Sequence, residues 1–176
     1  KKYGRLYFNT IIKPVTTKKI HNLDYGKLIE PLYDSIDGTV IKYENGNTTI
    51  NTAICEADAK IKTNNFDIRL QQLYLEKKNE NIKSIFAHEL SELNIDGEII
   101  ANVEKAGPVN ININYNEHGC DGIIETINTE YIKLFIPNSP KKLVVDGNNM
   151  QINYNNKMKL IYIPLGPGDN EFSIIY

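Results

Sequence analysis

One stretch of the chain carries the first half of a motif that binds zinc in helical metalloproteases. His88-Glu89 matches the start of His-Glu-x-x-His, in which two histidines on one helix face bind the metal. Ser91-Glu92 stands in place of the second histidine. Because the second ligand is missing, the sequence predicts no zinc-protease chemistry here. A strand or turn that carries a solvated glutamate is the favoured interpretation.

A second group of possible metal ligands surrounds His118. Glu117, Cys120 and Asp121 are its neighbours, so two carboxylates, a thiol and an imidazole lie close together in the sequence. A zinc site of this kind needs further ligands elsewhere, and the chain has three histidines in all. His118 and Cys120 also lack a third group that would orient them for nucleophilic catalysis. The sequence therefore predicts a polar hairpin loop, with no metal ligand and no catalytic residue.

Glycines near the C-terminal end could approach a phosphate closely. A phosphate cradle requires a helix N-terminus directly after the glycines. Gly166-Pro167-Gly168 is instead followed by a strand-like run from Glu171 to Ile174. We therefore expect a hairpin turn into the last strand, and no cofactor.

The two cysteines, Cys55 and Cys120, are too few for a disulfide framework or a cysteine-based metal site. Two separate buried thiols are the favoured interpretation. A single disulfide would require an exported chain, and the sequence does not decide whether the two cysteines pair.

The charge of the chain argues against nucleic acid as a partner. Its 176 residues carry a formal net charge of −2 and a pI of about 6.0, and the lysine pairs are scattered. Nucleic-acid binding needs concentrated lysine and arginine. No apolar run approaches the roughly 20 residues that cross a bilayer, so we also expect no membrane span. The hydrophobic share of 41% is enough to form a folded core.

Alternation of apolar and polar residues dominates the chain and indicates β-strands. From Val109 to Asn116, valine, isoleucine and tyrosine alternate with asparagine, as in a strand with one buried face. A similar run extends from Phe66 to Leu75. The segment from Asn79 to Leu93 has loosely helical spacing, and a strand from Ser84 to His88 fits equally well. We therefore expect one short helix at most.

Asp-Gly and Asn-Gly pairs between these runs predict tight hairpins, because type I′ turns need positive φ at both central residues. The pairs are Asp37-Gly38, Asn45-Gly46, Asp96-Gly97, Asp121-Gly122 and Asp146-Gly147. We expect a longer and more adaptable loop around Gly122 than around Gly147. Many short strands joined by such turns predict an all-β fold, an antiparallel β-sandwich. We assign it to a single domain over residues 1–176, and interpret the chain as a fragment of a longer protein because it opens without an initiator methionine.

Four segments of the C-terminal half carry a family resemblance. They are Ile85 to Gly97, Val109 to Ile113, Leu143 to Gly147 and Ile163 to Ile174. Together they resemble the C-terminal β-sandwich of bacterial polysaccharide lyases of the heparinase II/III type. The resemblance implies an accessory domain of an enzyme whose helical domain is absent from this chain. No catalytic residue of that family matches a position here, so the resemblance implies that the chain alone is inactive and that its parent is a lyase.

Three functions from different classes stay open, and the third of them is a self-contained enzyme or metalloprotein. The first is a non-catalytic accessory domain of a bacterial carbohydrate-active enzyme that supports or lines a glycan-binding cleft. Its partners would be the other domains of the parent chain and a polysaccharide. The second is a structural or adhesive β-module of a bacterial cell surface or phage virion, and both imply a secreted or surface location. Substrate-binding residues are unknown from the sequence; a groove lined by exposed tyrosines on a sheet face would favour the first function.

Four tyrosines stand at the ends of strand-like runs: Tyr43, Tyr115, Tyr131 and Tyr154. At such positions the ring can pack against the core while the hydroxyl reaches water. This packing role is the interpretation that we favour over sugar binding for these tyrosines.

Overall fold

The protein folds into two antiparallel β-sheets that pack against each other. The computed structural model describes residues 27–28, 32–35, 37–57, 59–103, 107–128 and 130–176. These residues form strands and turns, without a helix, so the predicted all-β antiparallel sandwich is confirmed. Within those ranges there is accordingly no helix long and apolar enough to cross a membrane.

The strands of the described residues are short to medium in length. They are β1 (Lys27–Leu28), β2 (Tyr33–Ser35), β3 (Gly38–Asn45), β4 (Thr48–Cys55), β5 (Ile61–Lys62), β6 (Phe66–Arg69), β7 (Gln72–Lys78), β8 (Asn81–Leu90), β9 (Glu92–Ile95), β10 (Glu98–Val103), β11 (Val109–Asn116), β12 (Gly119–Thr126), β13 (Glu130–Phe135), β14 (Lys142–Val145), β15 (Asn148–Asn149), β16 (Tyr154–Asn155), β17 (Leu160–Leu165) and β18 (Gly168–Ile175). The larger sheet has the order β1-β3-β4-β7-β8-β11-β12-β18-β14-β15, with β2 also paired to β3. The smaller sheet has the order β16-β17-β13-β10-β9-β6-β5.

Strands of one sheet lead directly into strands of the other. β6 continues into β7 through Leu70-Gln71, and β8 continues into β9 through Ser91. Backbone pairing persists through these bends, because the Gln71 N–H donates to the His88 carbonyl and the Ser91 N–H donates to the Arg69 carbonyl. The sandwich is therefore joined along one end. The turns of the β7–β8, β9–β10 and β11–β12 hairpins lie at the other end, which we call the hairpin end.

Strand alternation places the core between the sheets. In β11, Ile111 and Ile113 are at most 1% exposed, whereas Asn112 between them faces solvent. The smaller sheet contributes Leu93 and Ile163 to the same core cluster. Each such side chain stabilises the fold by roughly 1.5–3 kcal/mol when it is fully removed from water. The period-2 pattern of the sequence is thus what holds the two sheets face to face.

Four of the predicted hairpins form, and in two of them the predicted pair is the turn. Asp96-Gly97 joins β9 to β10 with φ angles of 53° and 81°, and Asp146-Gly147 joins β14 to β15 with φ angles of 49° and 76°. In the other two the predicted pair is displaced by one residue. Asn45 pairs with Thr48, so the β3–β4 turn is Gly46-Asn47, and Gly38 pairs with Ser35 as the first residue of β3.

The hairpin predicted at Asp121-Gly122 is wrong. Both residues lie inside β12, and the turn is formed by Glu117-His118. Gly122 pairs with Ile113 of the neighbouring strand. A Cβ atom on Gly122 would lie 2.2 Å from the carbonyl oxygen of Asn112. Glycine is required here because two backbones approach closely, and not because the chain turns. The Asp-Gly pattern does not distinguish these two roles of glycine.

The segment of ambiguous spacing between Asn79 and Leu93 is extended. Asn79 and Glu80 form the β7–β8 turn, with φ angles of 50° and 61°, and β8 follows. Ile85 and Ala87 are fully buried, whereas Phe86 between them is 45% exposed. This period of two belongs to a strand, so the strand interpretation is confirmed and the short helix is absent from this segment.

Candidate functional site

The structure separates the residues that were weighed as metal ligands. The side chain of His118 is 84% exposed at the β11–β12 turn, whereas Cys120 is buried in the core. His88 lies within β8, where its Nδ1 atom is buried without a hydrogen-bond partner. Across the described ranges no three His, Cys, Asp or Glu side chains are grouped so that they could hold a metal.

The glycine-rich segment from Gly166 to Gly168 turns β17 into β18. A turn was predicted there, but it leads from one sheet to the other and is not a hairpin within one sheet. The buried side chain of Asn170 organises it. Its Oδ1 accepts a hydrogen bond from the Gly166 N–H, and its Nδ2 donates to the carbonyls of Gly166, Gly168 and Ile124. This segment is therefore a structural junction.

Both cysteines are free thiols inside the core, as the favoured interpretation had it. Burial raises the pKa of Cys55 to about 11 and that of Cys120 to about 12, because the thiolate would lose its hydration. Neither thiol is placed to act as a nucleophile.

We expect neither thiol to react with an aromatic disulfide reagent in the folded protein at about pH 8. The thiolate is the reactive form, and pKa values this high leave on the order of 0.1% or less of each thiol ionised. Absorbance of the released thiol should show no reaction in native buffer and two equivalents in concentrated guanidinium chloride. Rapid release of one equivalent from the folded protein would contradict the burial of Cys55 or Cys120.

The outward face of the larger sheet carries a row of exposed apolar side chains. Tyr74, Phe86 and Ile123 are 36%, 45% and 43% exposed, and we call them the apolar row. Tyr74 of β7 lies directly opposite Phe86 of β8, and Asn112 of β11 stands between Phe86 and Ile123 of β12. Directly opposite side chains on one sheet face are roughly 5 Å apart at Cβ. Tyr74 and Phe86 therefore adjoin each other, whereas Ile123 lies two strands from Phe86 with the polar Asn112 between them.

Carboxylates flank the apolar row on both sides. Glu76 and Asp121 belong to the next line of paired residues on one side, and Glu125 and Asp169 belong to the line on the other side. Glu171 pairs with Ile123 at the end of the row. We call these five residues the acidic rim.

Hydrogen bonds fix part of this surface. The Tyr74 hydroxyl donates to Glu76 Oε2 at 3.0 Å, and Asn110 Nδ2 donates to Glu125 Oε2 at 2.8 Å. Partial burial, together with Glu76, raises the pKa of Tyr74. Since its hydroxyl is already bonded, Tyr74 offers a partner chiefly the apolar surface of its ring.

A shallow depression of about 340 Å³ adjoins the apolar row. Its lining includes Asn112, Asn114, Asp121 and Glu171 around Ile123. Amide and carboxylate groups beside one apolar side chain could hydrogen-bond a polar ligand there.

A deeper cleft of about 750 Å³ opens between the sheets at the hairpin end. Its lining includes Tyr115 and Tyr176, with Glu80 and Lys159 among its charged residues. The Tyr115 hydroxyl donates to the Phe135 carbonyl at 3.0 Å, whereas the hydroxyl of Tyr176 is buried and has no hydrogen-bond partner. The volume lies within the range of small-ligand sites.

The strand-end tyrosines behave differently from one another. The hydroxyls of Tyr115 and Tyr154 donate to backbone carbonyls and do not point to water as expected. Tyr43 is buried, whereas Tyr131 is 47% exposed. A groove of exposed tyrosines on a sheet face would have favoured sugar binding. On the outward face of the larger sheet, within the described ranges, the exposed aromatic side chains are Tyr74 and its neighbour Phe86.

No protein-family model matches the chain, and no curated protein matches it either. The proposed function is therefore based on the surfaces of the molecule.

The apolar row was not predicted from the sequence, although part of the pattern that indicates it is present there. Tyr74 stands between the core residues Leu73 and Leu75, so this part of β7 is apolar on both faces. A partly exposed sheet normally alternates between apolar and polar residues. The signal that aligns Tyr74 with Phe86 and Ile123 is the pairing register of four strands, which one sequence does not provide.

Proposed function

We propose that the chain is a structural β-module that joins a larger assembly, of the kind that forms a cell surface or a virion. The apolar row supports this proposal. Single exposed apolar side chains are common on monomeric proteins, whereas several that are aligned on one sheet face and bordered by charge are typical of a protein interface. Aromatic side chains such as Tyr74 and Phe86 often carry much of the energy of such interfaces.

The support beneath the row also suits an assembly role. Leu75, Ile85 and Ile113 belong to the same strands, face inward and are 0% exposed. A surface on paired strands with a close-packed core beneath it loses little conformational freedom when a partner binds. The row is therefore prepared for a permanent contact without rearrangement.

Incorporation of a Phe86→Ser variant into the native assembly tests the proposal. In cells that produce the full-length protein, we expect the variant to be depleted roughly tenfold from the particle or envelope fraction, because truncation of a central aromatic anchor costs about 1–2 kcal/mol of binding. Quantitative mass spectrometry of the purified fractions would measure the loss.

Met158→Ser is the matched control for this experiment. Met158 is 50% exposed, like Phe86, but lies between β16 and β17 of the smaller sheet. We expect its variant to be incorporated normally. Equal incorporation of the Phe86→Ser variant, or a parent protein found only as a free soluble enzyme, would contradict the proposal.

The cleft at the hairpin end favours a second candidate function, an accessory domain that contacts a polysaccharide. Aromatic side chains, amides and charges of both signs line it. Affinity electrophoresis in gels that contain alginate or heparin distinguishes the two functions. Retardation that Lys159→Gln weakens would favour the polysaccharide function, because Lys159 lines the cleft and both polymers are anionic, whereas Phe86→Ser should leave such retardation unchanged. In either case we expect no lyase or hydrolase activity from the chain alone.

A further inference from the structure

We infer that the outward face of the larger sheet binds a protein surface on which lysine or arginine side chains border an apolar ridge. This inference rests on the proposed structural function and adds the chemistry of the partner. It follows from the arrangement of charge around the apolar row.

The charge that borders the apolar row is mostly negative. Among the described residues in the two lines of paired residues beside it, the charged side chains are Glu76, Asp121, Glu125 and Asp169. Glu171 adds a carboxylate at the end of the row. The two bulges of β8 add Lys83 beside Ser84 and Glu89 opposite Asn110, and His88 lies in the second line.

Three lysines lie on this sheet near the face. Lys83 is the extra residue of the β8 bulge beside Ser84, three residues from Phe86, and it also lines the cleft at the hairpin end. Lys78 is the last residue of β7, and Lys142 is the first residue of β14 near the far edge of the sheet. None of them pairs with a residue of the apolar row, so carboxylates outnumber lysines around its centre. Like charges opposite each other across an interface oppose association. A second copy of the same face is therefore disfavoured, as are nucleic acid and anionic membranes.

The pairing register fixes the dimensions of the complementary surface. Glu76, Asp121 and Glu125 stand two residues from Tyr74 or Ile123 along their strands, which corresponds to roughly 7 Å on either side. The row crosses β7, β8, β11 and β12, which spans roughly 14 Å at the spacing of neighbouring strands. A partner β-hairpin laid across the strands, with an apolar centre and basic flanks, matches these distances.

Two synthetic β-hairpins of opposite charge test this inference on the 176-residue chain. Both are cyclised by a disulfide, and one face carries phenylalanine and isoleucine flanked by lysines in the first and by glutamates in the second. We expect the lysine hairpin to bind roughly tenfold more tightly than the glutamate hairpin, because several rim ion pairs each contribute a modest amount. Amide chemical shifts should change at Tyr74, Phe86 and Ile123.

Added salt and charge-reversed variants test whether the rim charges determine the preference between the two hairpins. Raising sodium chloride from about 0.05 M to about 0.5 M should weaken the lysine hairpin roughly tenfold, because screening shortens the reach of the rim charges. The double variant Asp121→Lys, Glu125→Lys leaves three rim carboxylates beside two lysines, so it should remove most of the preference for the lysine hairpin. Met158→Lys, outside this face, should leave the preference unchanged. Far-UV circular dichroism would confirm that each variant is folded.

Several outcomes would overturn the inference. They are no binding of the lysine hairpin, equal binding of the two hairpins, or shift changes confined to the cleft at the hairpin end. If the Phe86→Ser variant is still lost from the native assembly in any of these cases, the structural function stands and only the basic character of the partner is wrong. If incorporation is unaffected while the lysine hairpin binds as expected, the proposed function fails and the charge preference of the face remains.

Discussion

Replacement of Gly122 by alanine should destabilise the protein by about 3 kcal/mol or more, the upper part of the range for overpacked sites. The added Cβ would lie 2.2 Å from the Asn112 carbonyl oxygen and 2.9 Å from the Ile113 Cα atom. Both are backbone atoms of β11, so no side-chain rotation can relieve the contact. The β11–β12 pair must separate locally, and β12 also pairs with β18 on its other side. The strain therefore falls in the middle of the larger sheet.

Gly147→Ala is the control for this prediction. Gly147 has a φ of 76° and no atom within 4 Å of the added Cβ, so its variant carries backbone strain alone. Such strain costs about 1 kcal/mol. Urea unfolding followed by far-UV circular dichroism should place the midpoint of Gly122→Ala well below that of Gly147→Ala, and both below the parent. A Gly122→Ala midpoint equal to or above that of Gly147→Ala would show that β11 and β12 are not this close.

This order reverses the expectation from the sequence, which gave Gly122 the more adaptable surroundings. The Asp-Gly pattern identified the turns at Asp96-Gly97 and Asp146-Gly147 because it reports the local need for positive φ. At Gly122 glycine is required by a contact that is distant in sequence, because a Cβ atom would collide with the carbonyl of Asn112, ten residues away. A glycine that allows two strands to approach and a glycine that forms a turn look alike in one sequence.

The fold class was predictable because it depends on local periodicity. The asparagine alternation of β11 defines an inner and an outer face without any knowledge of its neighbours. The assignment of strands to two sheets was not predictable in the same way. Ser91 and Leu70-Gln71 are short connections that carry the chain from one sheet to the other. Nothing in their residue types separates them from an ordinary strand interior.

The candidate site could not be predicted from the sequence, for a related reason. Tyr74, Phe86 and Ile123 are 12 and 37 residues apart along the chain, and only the register brings them into one row. His118 and Cys120 were considered as metal ligands and as a catalytic pair because of their side chains. The sequence predicted neither function for them and placed both in one loop. The β11–β12 turn instead leaves His118 in solvent and starts the strand that buries Cys120.

Replacement of Asn170 by alanine should destabilise the protein by about 3 kcal/mol. Asn170 is 2% exposed, and its side chain makes four hydrogen bonds to backbone groups at the junction of β17 and β18. Alanine removes all four and leaves the Gly166 N–H and the Ile124 carbonyl without these partners. A buried polar group that loses its partner costs about 1–3 kcal/mol. The carbonyl of Ile124 belongs to β12, so the loss also loosens the contact between the turn and the larger sheet.

Asn148→Ala separates this effect from the general loss of an asparagine. The Nδ2 atom of Asn148 donates to the Asp146 carbonyl at 3.1 Å, but the bond is exposed and water can replace it. Its variant should lose no more than about 0.5 kcal/mol. Asn170→Asp should be at least as unstable as Asn170→Ala near neutral pH, because a carboxylate would face the carbonyls that Nδ2 now satisfies. A parent-like urea midpoint for Asn170→Ala would show that the junction is organised by its backbone alone, whereas equal losses for the Asn170 and Asn148 variants would show that burial does not strengthen these bonds.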